Sequence, residues 1–177
     1  MSAPTQPAPV AEQVQQLTHY RAVLEAAVAS VPQELRDQRP DPGRWSVAEV
    51  LEHLAVLEGG IVQLLRSQAA AGPAEAAAAS TLDERAVLDR SRPWVAPPRV
   101  QPRGELSAAA AWERLGQTRA ALLAAMEGGD EQSLTQKTYP HPVLGPLSLR
   151  QWVTFIGLHE GRHAAQIEEI GQALSKN

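Results

Sequence analysis

Four stretches of the chain place apolar residues at the three-and-four spacing that marks one face of a helix. The first, expected from Pro9 to Ser30, carries Val10, Val14, Leu17, Leu24, Val28 and Val31, and Pro32 stops it. The second starts at Ser46 and carries Val47, Val50, Leu51, Leu54, Leu57, Ile61, Leu64 and Leu65, with a stop at Gly72-Pro73. The third, from Ser107 to Glu127, has a sparser stripe of Ala108, Trp112, Leu115, Leu122 and Met126, and Gly128-Gly129 ends it. The fourth runs from Ser148 to about Leu174, roughly 40 Å at 1.5 Å per residue. Its stripe is Leu149, Trp152, Val153, Ile156, His159, His163, Ile167, Ile170 and Leu174.

Two of these helices carry a full entry signal. Ser46-Val47-Ala48-Glu49 and Ser148-Leu149-Arg150-Gln151 are capping boxes: the serine oxygen accepts from the backbone three residues on, and the side chain there reaches back. Trp45 with Val50, and Leu147 with Trp152, stand where a hydrophobic staple would close each entry. The second and third helices are joined by a long connection, residues 73–104. It holds an alanine run, a short helix expected from Thr81 to about Asp89 behind a Thr81–Glu84 box, and then Pro93, Pro97, Pro98 and Pro102. The stretch from Asp130 to Leu147, with Pro140, Pro142, Gly145 and Pro146, is expected to be a loop. Nothing reads as a strand. The expected fold is therefore all-α: a four-helix bundle with a long crossover between helices 2 and 3, over residues 9–177, preceded by a disordered N-terminal arm at 1–8.

Composition narrows the function. The length of 177 residues suits one domain, and the aromatic share of 4% with abundant alanine favours helix over sheet. A net charge of −4 argues against a nucleic-acid partner. With no cysteine, a transition metal could be held only by His, Asp or Glu. No apolar stretch is long enough for a bilayer, and Met1 to Val10 lacks a basic start and an apolar run. No membrane partner and a cytoplasmic location are the expectations.

The candidate chemistry lies on the fourth stripe. His159 and His163 occupy positions where the pattern would place leucine or isoleucine, and four-residue spacing sets both rings on one face, one turn apart. Two ring nitrogens can then meet at one ion. His53, between Val50 and Leu57 and so at the edge of the second stripe, could complete a facial triad with open coordination positions. A plainer alternative stands beside this. Buried imidazoles can instead be satisfied by a water or by Gln166 or Glu160. His159-Glu160-Gly161-Arg162-His163 also matches the zinc-protease pattern H-E-x-x-H, but Gln166 and Glu169 stand where its longer form needs glycine and a third histidine. Glu160 reads either as a base or support beside a ligand, or as a solvated helix residue. Gly59, Gly60, Gly157 and Gly161 mark either room for a substrate or close helix packing. Arg85, Arg90, Arg92, Arg99 and Arg103, with Trp94 among them, either recognise a carboxylate or are simply solvated. His141, between two prolines, reads as a turn residue, and His19 lies near the first stripe without a sign of turning inward.

Two blocks resemble a known family. Trp45-Ser46-Val47-Ala48-Glu49-Val50-Leu51-Glu52-His53-Leu54 is similar to the second helix of the DinB/YfiT-like superfamily. His141-Pro142-Val143-Leu144-Gly145-Pro146-Leu147-Ser148, followed by Trp152 and His159-Glu160-Gly161-Arg162-His163-Ala164-Ala165-Gln166-Ile167, is similar to its C-terminal half. The resemblance spans most of the chain and is weak through 66–104. It implies a four-helix bundle, often a homodimer, with one divalent metal ion, nickel or zinc, on three histidines matching His53, His159 and His163. It also implies an enzyme acting on a small-molecule substrate. The favoured version is a thiol-dependent S-transferase with a bacterial low-molecular-weight thiol as co-substrate. The alternatives are a hydrolase that activates water at the metal, and a non-catalytic, stress-related helical binding protein. Catalytic and substrate-binding residues beyond the histidines are left unassigned.

Overall fold

A computed structural model describes residues 9–70, 79–127 and 131–176. The expected arm at 1–8 and the expected stops at Gly72-Pro73 and Gly128-Gly129 lie outside these residues. Four long helices form the frame: α1 (Pro9–Ala29), α2 (Val47–Ala70), α4 (Ala108–Glu127) and α6 (Leu149–Leu174). Between them come two short helices, α3 (Glu84–Leu88) and α5 (Glu131–Gln136), and two strands, β1 (Thr138–His141) and β2 (Gly145–Ser148). None of the described helices is long and apolar enough to cross a membrane.

The entry signals act as written. Ser46 Oγ accepts from Glu49 N at 3.2 Å while Glu49 Oε2 accepts from Ser46 N at 2.9 Å. Ser148 and Gln151 make the same reciprocal pair at the head of α6. The short helix differs from expectation. Its cap is Asp83, whose Oδ1 accepts from Ala86 N, so it begins at Glu84 and not behind Thr81. An aspartate one residue before a turn outcompetes the earlier threonine as a cap.

α1 lies along α6, and α2 lies along α4. The two pairs meet where α2 crosses α6, and α3 rests on α6. The bundle has an apolar cluster at each end. One is built from Leu24, Val28, Val31, Val50, Leu51, Leu54, Leu115, Ile167 and Ile170. The other is built from Leu17, Ile61, Leu65, Leu122, Met126, Leu149, Trp152, Phe155 and Leu158.

The expected loop from 130 to 147 is corrected. It contains α5 and an antiparallel hairpin in which Tyr139 faces Leu147 and Pro140 faces Pro146. Prolines are tolerated because each strand is an edge, and opposite one another neither is asked for an amide. Gly145 closes the reversal at φ +77°, a conformation that suits glycine. The hairpin is fastened to α6 by Trp152 Nε1, which donates to Tyr139 O at 3.3 Å. Ser80 ties in the crossover: its N–H donates to Pro146 O at 2.7 Å, and its carbonyl accepts from Gln151 Nε2 at 2.7 Å.

Candidate metal centre

The crossing of α2 over α6 brings His53 to His159 and His163. One nitrogen from each ring lies within 4.8 Å of the others, and all three residues are buried. Ring centroids are 5.2 Å apart for His53–His159, 4.9 Å for His53–His163 and 4.4 Å for His159–His163.

Hydrogen bonds orient two of the rings. His53 Nδ1 donates to Val100 O at 2.6 Å, and His163 Nδ1 donates to Gln166 Oε1 at 2.7 Å. Each bond fixes the proton on Nδ1 and leaves Nε2 as a bare lone pair facing the cluster. His159 Nε2 lies 3.1 Å from His163 Nε2, and His159 Nδ1 is buried with no hydrogen-bond partner among the described residues. No tautomer of His159 satisfies both of its nitrogens from the side chains present. Burial lowers the pKa of all three; in His159 and His163 the neighbouring imidazoles lower it further. All three are therefore neutral near pH 7, the state a metal ligand needs. A divalent ion is bound by imidazole at about 2.0–2.1 Å, which two nitrogens 3.1 Å apart can share. The donor set and its protonation state fit such an ion.

The cluster lies on a cleft of about 770 Å³. Leu57, Ile61, Trp94, Tyr139, Trp152 and Phe155 give it apolar and aromatic walls, with Arg44, Arg90 and Arg99 also lining it. The crossover covers the site because α2 and α6 hold it there. Glu52 accepts from Arg103 N at 3.1 Å and from Gly104 N at 3.0 Å. Arg162 donates to the carbonyls of Val87, Asp89 and Arg92 and lies 4.7 Å from the Trp94 ring. Trp45 flanks the histidines, 5.0 Å from His53 and stacked at 6.5 Å on His163.

Other candidates fall differently. Glu160 is neither a base in the cleft nor solvated. It is 1% exposed and turned away, paired with Arg21 at 2.7 Å and Arg119 at 3.0 Å. The protease pattern therefore lacks its glutamate at the cluster. Gly157 and Gly161 serve packing, since a Cβ on Gly161 would sit 2.6 Å from the Tyr20 ring; Gly60 borders the cleft. Of the arginine run, Arg90 is held by Glu169 at 2.7 Å, and Arg85, Arg92, Arg99 and Arg103 are exposed. His19 is exposed. His141 makes its turn, as expected, but it is also buried and lines the cleft, which its proline neighbours gave no reason to anticipate. Burial pushes its imidazole down to about 4.

Residues 16–167 match the model of the DinB superfamily. The YuaE protein of Bacillus subtilis (strain 168), described as uncharacterized, is 30% identical over 144 residues, covering 81% of this chain and 87% of that protein. Two solved structures share the architecture. TT2238, described as a four-helix bundle protein, gives a TM-score of 0.59 at 21% identity, over 90% of this chain and 98% of that one. YfiT from Bacillus subtilis, described as a probable metal-dependent hydrolase with an unusual four-helix bundle topology, gives 0.55 at 19% identity, over 98% of this chain and 94% of that one. Such distant structural likenesses speak for the fold, whereas the family match over most of the length, together with YuaE, establishes descent: this chain belongs to the DinB superfamily.

Proposed function

We propose that this chain is a metal-dependent enzyme acting on a small organic molecule, with one divalent ion, zinc or nickel, held by His53, His159 and His163. The observation that carries the proposal is the convergence of three neutral, buried imidazoles on an open, aromatic-walled cleft. A saturated storage or structural site would be closed off from space of that size. Bound there, a divalent ion supplies Lewis acidity and lowers the pKa of a water or thiol that joins it.

The chain's own residues do the rest. Val100 and Gln166 hold two imidazoles in the tautomer that presents Nε2. The crossover, clamped by Glu52 and Arg162, is held against the site as part of the cleft wall. Thiol-dependent S-transfer is the preferred reaction and rests on the family resemblance; such an enzyme works where low-molecular-weight thiols are kept reduced, in the cytoplasm. Hydrolysis is the second reading, favoured by the description of YfiT.

Elemental analysis of untagged protein tests the proposal. One divalent ion per chain is expected, and His53→Ala, His159→Ala and His163→Ala should each lose stoichiometric metal while keeping the helical circular-dichroism signal. Wild-type protein that binds no stoichiometric metal after reconstitution would overturn the enzyme reading. Turnover that requires an added thiol separates transfer from hydrolysis.

A further inference from the structure

β1 ends at His141, and the chain reverses over the next three residues. The His141 ring builds that reversal. Its Nδ1 accepts from the backbone N–H of Val143 and of Leu144, each at 3.1 Å. A nitrogen that accepts from two amides carries no hydrogen of its own, so the proton of the neutral ring is on Nε2. Protonating Nδ1 as well would break both turn bonds, and the hairpin thereby holds the ring as a neutral donor.

That donor is not engaged by the described residues. His141 is 7% exposed, yet Nε2 has no hydrogen-bond partner among the described residues. The ring lines the cleft, enclosed by Trp94, Trp152 and Phe155 at centroid distances of 5.8, 5.1 and 4.7 Å. Phe155 also touches His159 at 4.9 Å, so one aromatic side chain spans from His141 to the three-histidine cluster. An apolar enclosure with one fixed, unanswered N–H is the arrangement expected of a site that reads a single oxygen on an otherwise apolar ligand.

We propose that His141 is a substrate-binding residue whose Nε2–H donates a hydrogen bond to the carbonyl oxygen of a small aromatic or apolar compound lying in the cleft. The inference rests on the reading of the cleft as the substrate site. If a nucleophile adds to that carbonyl, the oxygen gains negative charge, and a donor already fixed in place then binds it more strongly than it binds the starting compound. His141 gives up no proton in this role.

The test uses the full chain, zinc-loaded and labelled with ¹⁵N-histidine. Multiple-bond ¹H–¹⁵N correlation should show His141 as the neutral Nε2–H tautomer, and titration with benzamide as probe should shift its Nε2 signal saturably. Two variants divide the side chain's functions. His141→Asn keeps an acceptor for the turn amides but reaches no donor into the cleft, and it should bind benzamide about tenfold more weakly. His141→Gln carries an N–H near the Nε2 position and should recover most of that loss. A merely structural histidine predicts the reverse order, with the asparagine variant binding as wild type. That order, a proton found on Nδ1, or no benzamide-dependent shift in the wild type would each overturn the assignment. Zinc content measured on the same samples keeps the two readings apart. Absent zinc counts against the metal centre, while the tautomer and titration judge His141 by themselves.

Discussion

Gln166 holds His163 from the side opposite the cluster, and its Oε1 fixes which ring nitrogen is free. Replacing it by alanine removes that anchor without removing a ligand. Gln166→Ala should weaken metal affinity by about 10- to 100-fold, read by competition with a chelator, with the fold unchanged. pH acts on the same rings. The folded-state pKa values of His53, His141, His159 and His163 lie below the unfolded value. As pH falls below about 6.5, the unfolded chain therefore takes up protons that the folded chain refuses, and stability is lost. For His141 the loss continues to about 4 and amounts to roughly 2–3 kcal/mol. Urea unfolding of metal-free protein at pH 7 and pH 5 should show the decline, and His141→Gln should make it shallower while the three clustered histidines keep the rest. The three clustered histidines were legible in the sequence because His159 and His163 interrupt an apolar stripe and His53 stands at the edge of another. The burial of His141 in the cleft wall and the partners of Glu160 were not legible, because their surroundings are set by segments distant in sequence: Trp94 for the one, Arg21 and Arg119 for the other.

The helices begin where their caps are written. Ser148→Ala should cost about 1 kcal/mol in a denaturant titration, since Ser148 Oγ answers an amide at the start of the helix that carries two of the three histidines. The contact between α1 and α6 depends on glycine. A methyl group on Gly161 would meet the Tyr20 ring at 2.6 Å and Leu88 Cδ2 at 3.1 Å. Gly161→Ala should therefore destabilise by about 1–3 kcal/mol despite alanine's better helix propensity, and a lowered melting temperature would record it. The hairpin escaped sequence reading for a physical reason. Its strands are four residues each and contain two prolines, so neither alternation nor propensity marks them. Pairing with each other and fastening to Trp152 and Ser80 make them strands.

Across the whole bundle, one charged side chain from each long helix lies between the two apolar clusters: Arg21, Glu58, Arg119 and Glu160. Glu58 pairs with Arg119 at 2.6 Å, and Arg119 Nη2 lies 3.0 Å from Glu160 Oε1, close enough for ion pairing though off the line of a hydrogen bond. Burial works against the Arg119 charge, but Glu160 and Glu58 outweigh it and raise its pKa. Arg119→Met would leave two buried carboxylates with only Arg21 to share, and a loss of about 3 kcal/mol is expected in urea unfolding. The pattern was present in the sequence, because Arg21, Glu58 and Arg119 each stand between apolar stripe residues. A charge on a stripe, however, does not reveal its partners. The chain by itself determined the four amphipathic helices, their capped starts and the three imidazoles turned inward, since spacing and local hydrogen bonding suffice for these. Only the tertiary structure decided that α2 crosses α6 at the histidines, that the crossover roofs a cleft there, and that His141 enters its wall. Those contacts join residues some 50 to 110 positions apart, and no local pattern encodes which distant surfaces bury one another.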